Sequence, residues 1–287
     1  MRFLNIHHAE ETITRLVTAV TGTTPNPAEL SAAYRRVISL RRAIAATGTG
    51  ITVSFEDSPW GDFLIENRIF ENIFEGLADT PEGTRDKWQR DVSVALLHTR
   101  DMAPDLGRLV DLLVTDLVLF SSKNKGGGSG SHVPGLVSMS PGDEWRAHDF
   151  AESLVHETIH LNVFLADMVY RLYTLPAAAL EAPECRVVSA VKFGQLRPLD
   201  KAFHSAVVAP PLMYMQQQRG ETELVDKFRA SLLECTDGLL DRIEYFTPYG
   251  TLLVRELRAF AETVDFELVE RSISSKEFAH YAIPAAA

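Results

Sequence analysis

The sequence predicts a mostly α-helical fold with a few short strands and one buried central helix, and three observations carry that reading. Apolar residues recur at helical spacing over most of the chain, from Glu10–Val20 near one end to Leu252–Phe266 near the other. Strand-like alternation is confined to short stretches such as Ile51–Glu56 and Leu136–Ser140. No alternation of strand and helix marks a parallel sheet, and no glycine fingerprint marks a nucleotide cofactor.

Taken in order, Glu10–Val20 and Glu29–Thr47 have the spacing of a helical hairpin, with Thr21–Pro27 as the loop between them. A short strand over Ile51–Glu56 is followed by a helix over Gly61–Gly76, then by helices over Lys87–Arg100 and Ala103–Phe120. The stretch Leu112–Phe120 is β-branched enough to end as a strand. Residues 121–135 are rich in glycine and serine and read as a flexible linker or mobile loop, as well suited to a lid or site edge as to a domain boundary. Ser140, Pro141 and Asp143 mark a helix start, with a capping hydroxyl, a proline at the first helical position and an acid after it. The apolar run Phe150–Tyr173 then reads as one buried helix. Pro176–Glu184 is a connector and Arg186–Gln195 is unassigned. Leu199–Ala209 is helical until Pro210 and Pro211 interrupt it. Helices are expected over Glu221–Phe246 and Leu252–Phe266, and the chain after Arg271 is expected to be loosely ordered, its last alanines a fraying end. The resulting division is a helical amino-terminal part (1–120), the loop (121–135) and a second helical part (136–270), together one compact unit.

At 287 residues, 46% hydrophobic and 23% charged, the chain is long enough to bury a sizeable core. Its net charge of −11 and lack of clustered Lys and Arg argue against a nucleic-acid partner. The two cysteines, Cys185 and Cys235, suit neither a disulfide scaffold nor a thiolate metal site. Met1–Glu10 carries no signal or lipidation motif, and no uncharged apolar run is long enough to span a bilayer, so a cytoplasmic protein without a membrane partner is expected.

The segment with chemical meaning is His156-Glu157-Thr158-Ile159-His160, set among Leu154, Val155, Leu161, Phe164 and Leu165. Histidines four apart lie one turn above each other on a helix, so their ring nitrogens can converge on one metal ion. The competing reading is a pair of core histidines satisfied by backbone carbonyls, with Glu157 facing a cleft.

A metal site needs a third protein ligand, and its identity separates the chemistries. A metzincin would have histidine at position 166 and glycine at 163, but the residues are Ala166 and Val163. A zinc peptidase with a glutamate ligand would use Glu181 or Glu184, with Glu157 as general base, although Pro183 cuts the helix that class requires. His204, on the small apolar face of the helix expected from Leu199, is the better candidate. Asp167, seven residues beyond His160, could accept a hydrogen bond from a ligand histidine or cap a neighbour.

The combination of Leu154-Val155-His156-Glu157-Thr158-Ile159-His160-Leu161 with Leu196-Arg197-Pro198-Leu199 and Phe203-His204, preceded by Pro134-Gly135-Leu136-Val137, resembles the HExxH-motif peptide-modification proteins found with biosynthetic clusters for ribosomally made peptides. The resemblance covers about Val133–Ala209. It implies an iron(II)- and 2-oxoglutarate-dependent hydroxylase acting on β-carbons of amino-acid residues, with a peptide or amino-acid substrate. Three protein ligands on one face of iron leave room for bidentate 2-oxoglutarate and dioxygen. The distal carboxylate of 2-oxoglutarate then needs a cation, and Arg197, fixed by Pro198, is the first choice, with Arg186 and Lys192 in reserve. Glu157 could orient a ligand, coordinate the metal or bind a substrate amine. A zinc metallopeptidase is the alternative enzyme, and a catalytically silent metal-binding scaffold the non-enzyme alternative.

Overall fold

Pairing between short strands far apart in sequence organises one part of the chain, and a helical array organises the rest. The computed structural model describes residues 1–71 and 75–283. In chain order it contains α1 (Ile6–Thr21), α2 (Leu30–Ser39), β1 (Thr52–Phe55), α3 (Pro59–Glu66), α4 (Glu82–Met102), α5 (Pro104–Leu113), β2 (Asp116–Leu119), β3 (Gly126–Ser129), β4 (Leu136–Ser140) and α6 (Ala147–Tyr170). There follow β5 (Val187–Val188), β6 (Leu196–Arg197), α7 (Leu199–Val207), α8 (Ala209–Gln218), α9 (Glu223–Leu240), α10 (Pro248–Thr263) and α11 (Phe266–Ser274). The fold is mostly helical with a few short strands, as the spacing predicts. The chain forms two units, one of Ile13–Phe164 and one of Met1–Thr12 with Leu165–Ala287. The division falls inside α1 and α6.

In the first unit four strands form one sheet in the order β1-β2-β4-β3. β1, β2 and β4 are parallel and β3 runs antiparallel along the edge. The expectation of no strand and helix alternation is therefore corrected, because β1 returns to β2 through α3, α4 and α5. Parallel strands require such a crossover. The strands are four or five residues long and β2 and β4 are buried throughout, so burial along them does not follow a period of two.

The sheet also explains where local spacing overran. α2 stops at Ser39 instead of continuing to Thr47, because Arg42 is drawn into the sheet. Its guanidinium donates to Asp116 Oδ2 (2.6 Å), Thr115 Oγ1 (2.6 Å) and the Pro134 carbonyl (3.3 Å), and its Nε–H donates to the Ile44 carbonyl. α3 starts at Pro59 under a Ser58 cap and ends at Glu66, after which Arg68 and Phe70 take positive φ, so the helix does not reach Gly76. Residues 72–74 of that expected helix lie outside the described residues. At Gly61 a Cβ would stand 2.2 Å from the Glu56 carbonyl oxygen, so only glycine lets α3 approach β1 this closely.

The second large correction concerns residues 121–135. Composition reads them as flexible, yet Gly126–Ser129 is a strand in register with β4, from Gly126 opposite Ser140 to Ser129 opposite Val137. The helix start expected at Ser140 is absent for the same reason. Ser140 completes β4 and shares a hydrogen bond with Ser122, and α6 begins seven residues later, where the Asp149 carboxylate accepts from the Arg146 N–H.

In the second unit α9 packs against α7, α8, α10 and β5. β5 and β6 form a small antiparallel pair, Val187 opposite Arg197, within the stretch that local spacing leaves unassigned. Pro210 and Pro211 do not merely interrupt a helix. They occupy the first turn of α8, where a missing N–H costs nothing. From Arg271 to Ala279 the chain is held, not loose: α11 runs to Ser274, Asn5 donates to the Ser272 and Ser275 carbonyls, and His8 Nδ1 bonds the Ala279 carbonyl at 2.8 Å. Partners more than 260 residues away hold it, which local periodicity could not show. The terminal alanines lie outside the described residues.

Candidate functional site

α6 is a 24-residue helix that carries both histidines and Glu157. Leu154, Val155, Ile159, Leu161 and Val163 are buried around it, so its position is fixed by packing on most of its circumference. Thr158 returns its hydroxyl to the Leu154 carbonyl, which satisfies a buried polar group on the apolar side of the helix. At its carboxyl end Arg171 adopts φ 59° and Asp167 accepts from the Leu172 N–H at 2.7 Å. Asp167 thus closes the helix end, and burial raises its carboxyl pKa above the usual range.

On the remaining face His156 and His160 meet. Their rings are edge-on at 4.7 Å and 83°, and their Nε2 atoms are 3.1 Å apart. Two nitrogens each about 2.0–2.1 Å from one tetrahedral ion stand about 3.3 Å from each other, so the pair has the bite of a chelate. Burial pushes the His156 pKa down to about 4, although its side chain keeps 32% of its exposure, so the ring is neutral at neutral pH, the form that binds metal.

Glu157 sits about 100° further round the helix and is buried between α6 and the sheet edge. Its Oε2 accepts from Ser129 Oγ at 2.7 Å, and its Oε1 lies 3.9 Å from His156 Nε2. β3 passes so close that a Cβ on Gly127 would be 2.8 Å from Glu157 Oε1 and 3.2 Å from Ser153 Oγ. Glycine in this strand therefore reports close approach to a carboxyl group. Gly127 and Ser129 are the neighbours that sequence reasoning missed, and the missing side chain at Gly127 left no periodic signal to find it by. Gly127→Ala is expected to lower stability by about 1–3 kcal/mol through overpacking against Glu157. Gly83→Ala, in open space on α4, is expected to raise it by about 0.5–1 kcal/mol. Urea denaturation of the two variants beside the parent chain measures the contrast.

Burial pushes the Glu157 carboxyl up from 4.5 to about 7, against the opposing hydrogen bond from Ser129. The folded, metal-free chain therefore keeps a proton that the unfolded chain loses. Its contribution to stability is complete below pH 4.5 and is lost as the pH rises to about 7, on the order of 3 kcal/mol in all. Urea denaturation of metal-free protein at pH 5 and pH 8 is expected to show this loss in the parent chain and not in Glu157→Gln. Equal slopes in the two proteins would contradict the burial argument.

The structure thus brings His156, His160 and Glu157 together. Among the described residues, no group of three His, Cys, Asp or Glu side chains is gathered that could hold a metal. His204 and Arg197 belong to the other unit. His204 is buried on α7 at 8% exposure, edge-on to Phe203. Arg197 is half-buried in β6, its backbone held by the pairing with Val187 and followed by Pro198 at the start of α7. Of the reserve cations, Arg186 is half-buried and Lys192 exposed. Glu181 and Glu184 are both exposed, on 3-10 turns spanning Ala179–Glu181 and Pro183–Cys185.

Compared with protein-family models and with curated proteins, the chain matches none. Among the described residues no helix is long and apolar enough to cross a membrane.

Proposed function

We propose that the chain is an iron(II)- and 2-oxoglutarate-dependent hydroxylase acting on the β-carbon of an amino-acid residue in a peptide or amino-acid substrate. The observation that carries the metal reading is the 3.1 Å separation of His156 and His160 Nε2 on a rigidly packed helix. Imidazole donors suit iron as well as zinc. The exposure of Glu181 and Glu184 favours the oxygenase over a glutamate-ligated zinc peptidase, because a third ligand must be held in a dry, shaped site. His204 is buried and offers the imidazole alternative. When bound, iron(II) and 2-oxoglutarate supply an oxidation in which dioxygen and 2-oxoglutarate give succinate, carbon dioxide and a hydroxylated product. In this reading His156 and His160 hold the ion, and Ser129 fixes the Glu157 carboxyl beside them. His204 as third ligand and Arg197 as partner of the distal carboxylate carry their roles on sequence grounds.

One observation favours the second reading, a zinc metallopeptidase. Glu157 is a buried carboxyl beside the histidine pair with a pKa near neutrality, as a general base requires. A single comparison separates the two. The chain is loaded anaerobically with iron(II), then given 2-oxoglutarate and air, and succinate is measured; a second portion is loaded with zinc and given casein. Succinate above the metal-free control is expected. Casein cleavage without succinate would transfer the assignment to the peptidase, and tight metal binding with neither product would leave a scaffold.

A further inference from the structure

The sheet of the first unit has a second polar centre, on the face turned away from α6. Side chains alternate along a strand, so the register puts Gly127, Ser129, Val137 and Met139 on the α6 side and Ser54, Asp116, Val118 and Ser138 on the other. That second face is apolar in its middle, where Trp60, Leu64, Val118, Phe120 and Leu136 form one cluster. Yet it holds buried polar atoms without hydrogen-bond partners: Ser54 Oγ, Ser138 Oγ, Trp60 Nε1, and Nε and Nη1 of Arg35. Ser54 and Ser138 stand on either side of Val118 in the register, and Trp60 packs in the same cluster as Val118.

The charges at this centre do not balance. Arg42 lies 4.7 Å over the Trp60 ring and its donors are taken up by Asp116, Thr115 and the Ile44 and Pro134 carbonyls. Arg35, on α2 and only 4% exposed, feels Asp116, Arg42 and Tyr34. Tyr34 is neutral, because burial pushes its phenol well above the usual range. Two guanidiniums thus face one carboxylate, and the bond Arg35 makes runs from Nη2 to the Gly50 carbonyl at 3.0 Å. Nε and Nη1 carry three of the five N–H donors of an arginine, and in a buried position donors of a charged group demand acceptors. Water could accept these bonds but would leave one positive charge uncompensated. A dianion such as phosphate would overshoot by one negative charge in an apolar surround.

The geometry points to a binding site for a small monoanionic carboxylate at Arg35, on the face of the sheet opposite Glu157. The carboxylate accepts from the free Arg35 N–H groups and brings the cluster to neutrality. Residues 47–50, which end at the carbonyl that holds Arg35, are exposed. The site is separate from the histidine pair and stands whether or not the chain is an oxygenase.

The test uses the full chain, freed of metal by EDTA, titrated with sodium acetate, sodium formate and sodium phosphate against sodium chloride at constant ionic strength. Calorimetry and the thermal midpoint are the readouts. Saturable one-to-one binding is expected for the carboxylates, with a rise in midpoint that chloride does not give. Arg35→Met is expected to weaken binding by about tenfold or more, since it removes charge-assisted bonds. Should that variant not fold, Arg35→Lys keeps the charge and loses the planar fork, and about tenfold weaker binding is expected of it as well. No saturation by about 100 mM carboxylate in the parent chain overturns the proposal. So does undiminished binding in the Arg35 variants, or phosphate binding more tightly than acetate with the same dependence on Arg35.

Discussion

Replacing either His156 or His160 by alanine is expected to abolish stoichiometric divalent-metal binding while the helical content stays unchanged. The two nitrogens form a chelating arm supplied by one rigid element, and each ring removed leaves a single imidazole. Sharing about 10–16 kcal/mol of site energy among four ligands gives about 3 kcal/mol for each, so affinity should fall by at least about a hundredfold. α6 should survive, because it is held by Leu154, Val155, Ile159 and Leu161, and alanine is the better helix former. Competition against a chromophoric chelator, with circular dichroism beside it, reads both effects. A variant that still holds one metal tightly would move the site elsewhere. The same titration assigns the third ligand. His204→Ala should lower iron occupancy, whereas Glu181→Ala and Glu184→Ala should leave it intact. Arg197→Ala should keep iron and raise the 2-oxoglutarate requirement, since loss of a charge-assisted pair costs about 2–5 kcal/mol, or about 30-fold to several thousandfold. Full iron occupancy in His204→Ala together with its loss in a Glu181 or Glu184 variant would overturn the ligand assignment.

The second large effect is expected far from the histidines, at Arg42. Its side chain is fully buried and its partner Asp116 nearly so, with a 2.6 Å pair between them. Arg42→Ala leaves the Asp116 carboxylate buried without its cation and also strips a donor from two backbone carbonyls. Breaking such a pair costs about 3–5 kcal/mol, a large share of the roughly 5–15 kcal/mol that holds a protein folded. The midpoint of urea denaturation should fall accordingly, with the largest loss in the sheet-containing unit. Asp116→Leu in the Arg42→Met background should recover part of the loss, because no charge is then left unpaired. A loss below about 1 kcal/mol in Arg42→Ala would mean that the pair is effectively solvated.

By itself the sequence determined the helical character of the chain, the strands over Ile51–Glu56, Leu112–Phe120 and Leu136–Ser140, and the convergence of His156 and His160. The helices, the histidine pair and the strand over Ile51–Glu56 rest on periods of 3.6 and 2 residues and the strand ending Leu112–Phe120 on its β-branched content, signals that a single element expresses without help from the rest of the chain. Two histidines one turn apart face the same way wherever their helix is placed. The tertiary structure alone decided what the elements do to one another. The parallel pairing of β1 with β2 is invisible locally because three helices intervene. Arg42 and Asp116 are 74 residues apart, so nothing nearby announces that α2 must end early. Residues 126–129 show the reason most plainly. Glycine carries no side chain and so writes no pattern into a sequence, whether it is free to move or, as at Gly127, pressed against Glu157 in the edge strand of a sheet.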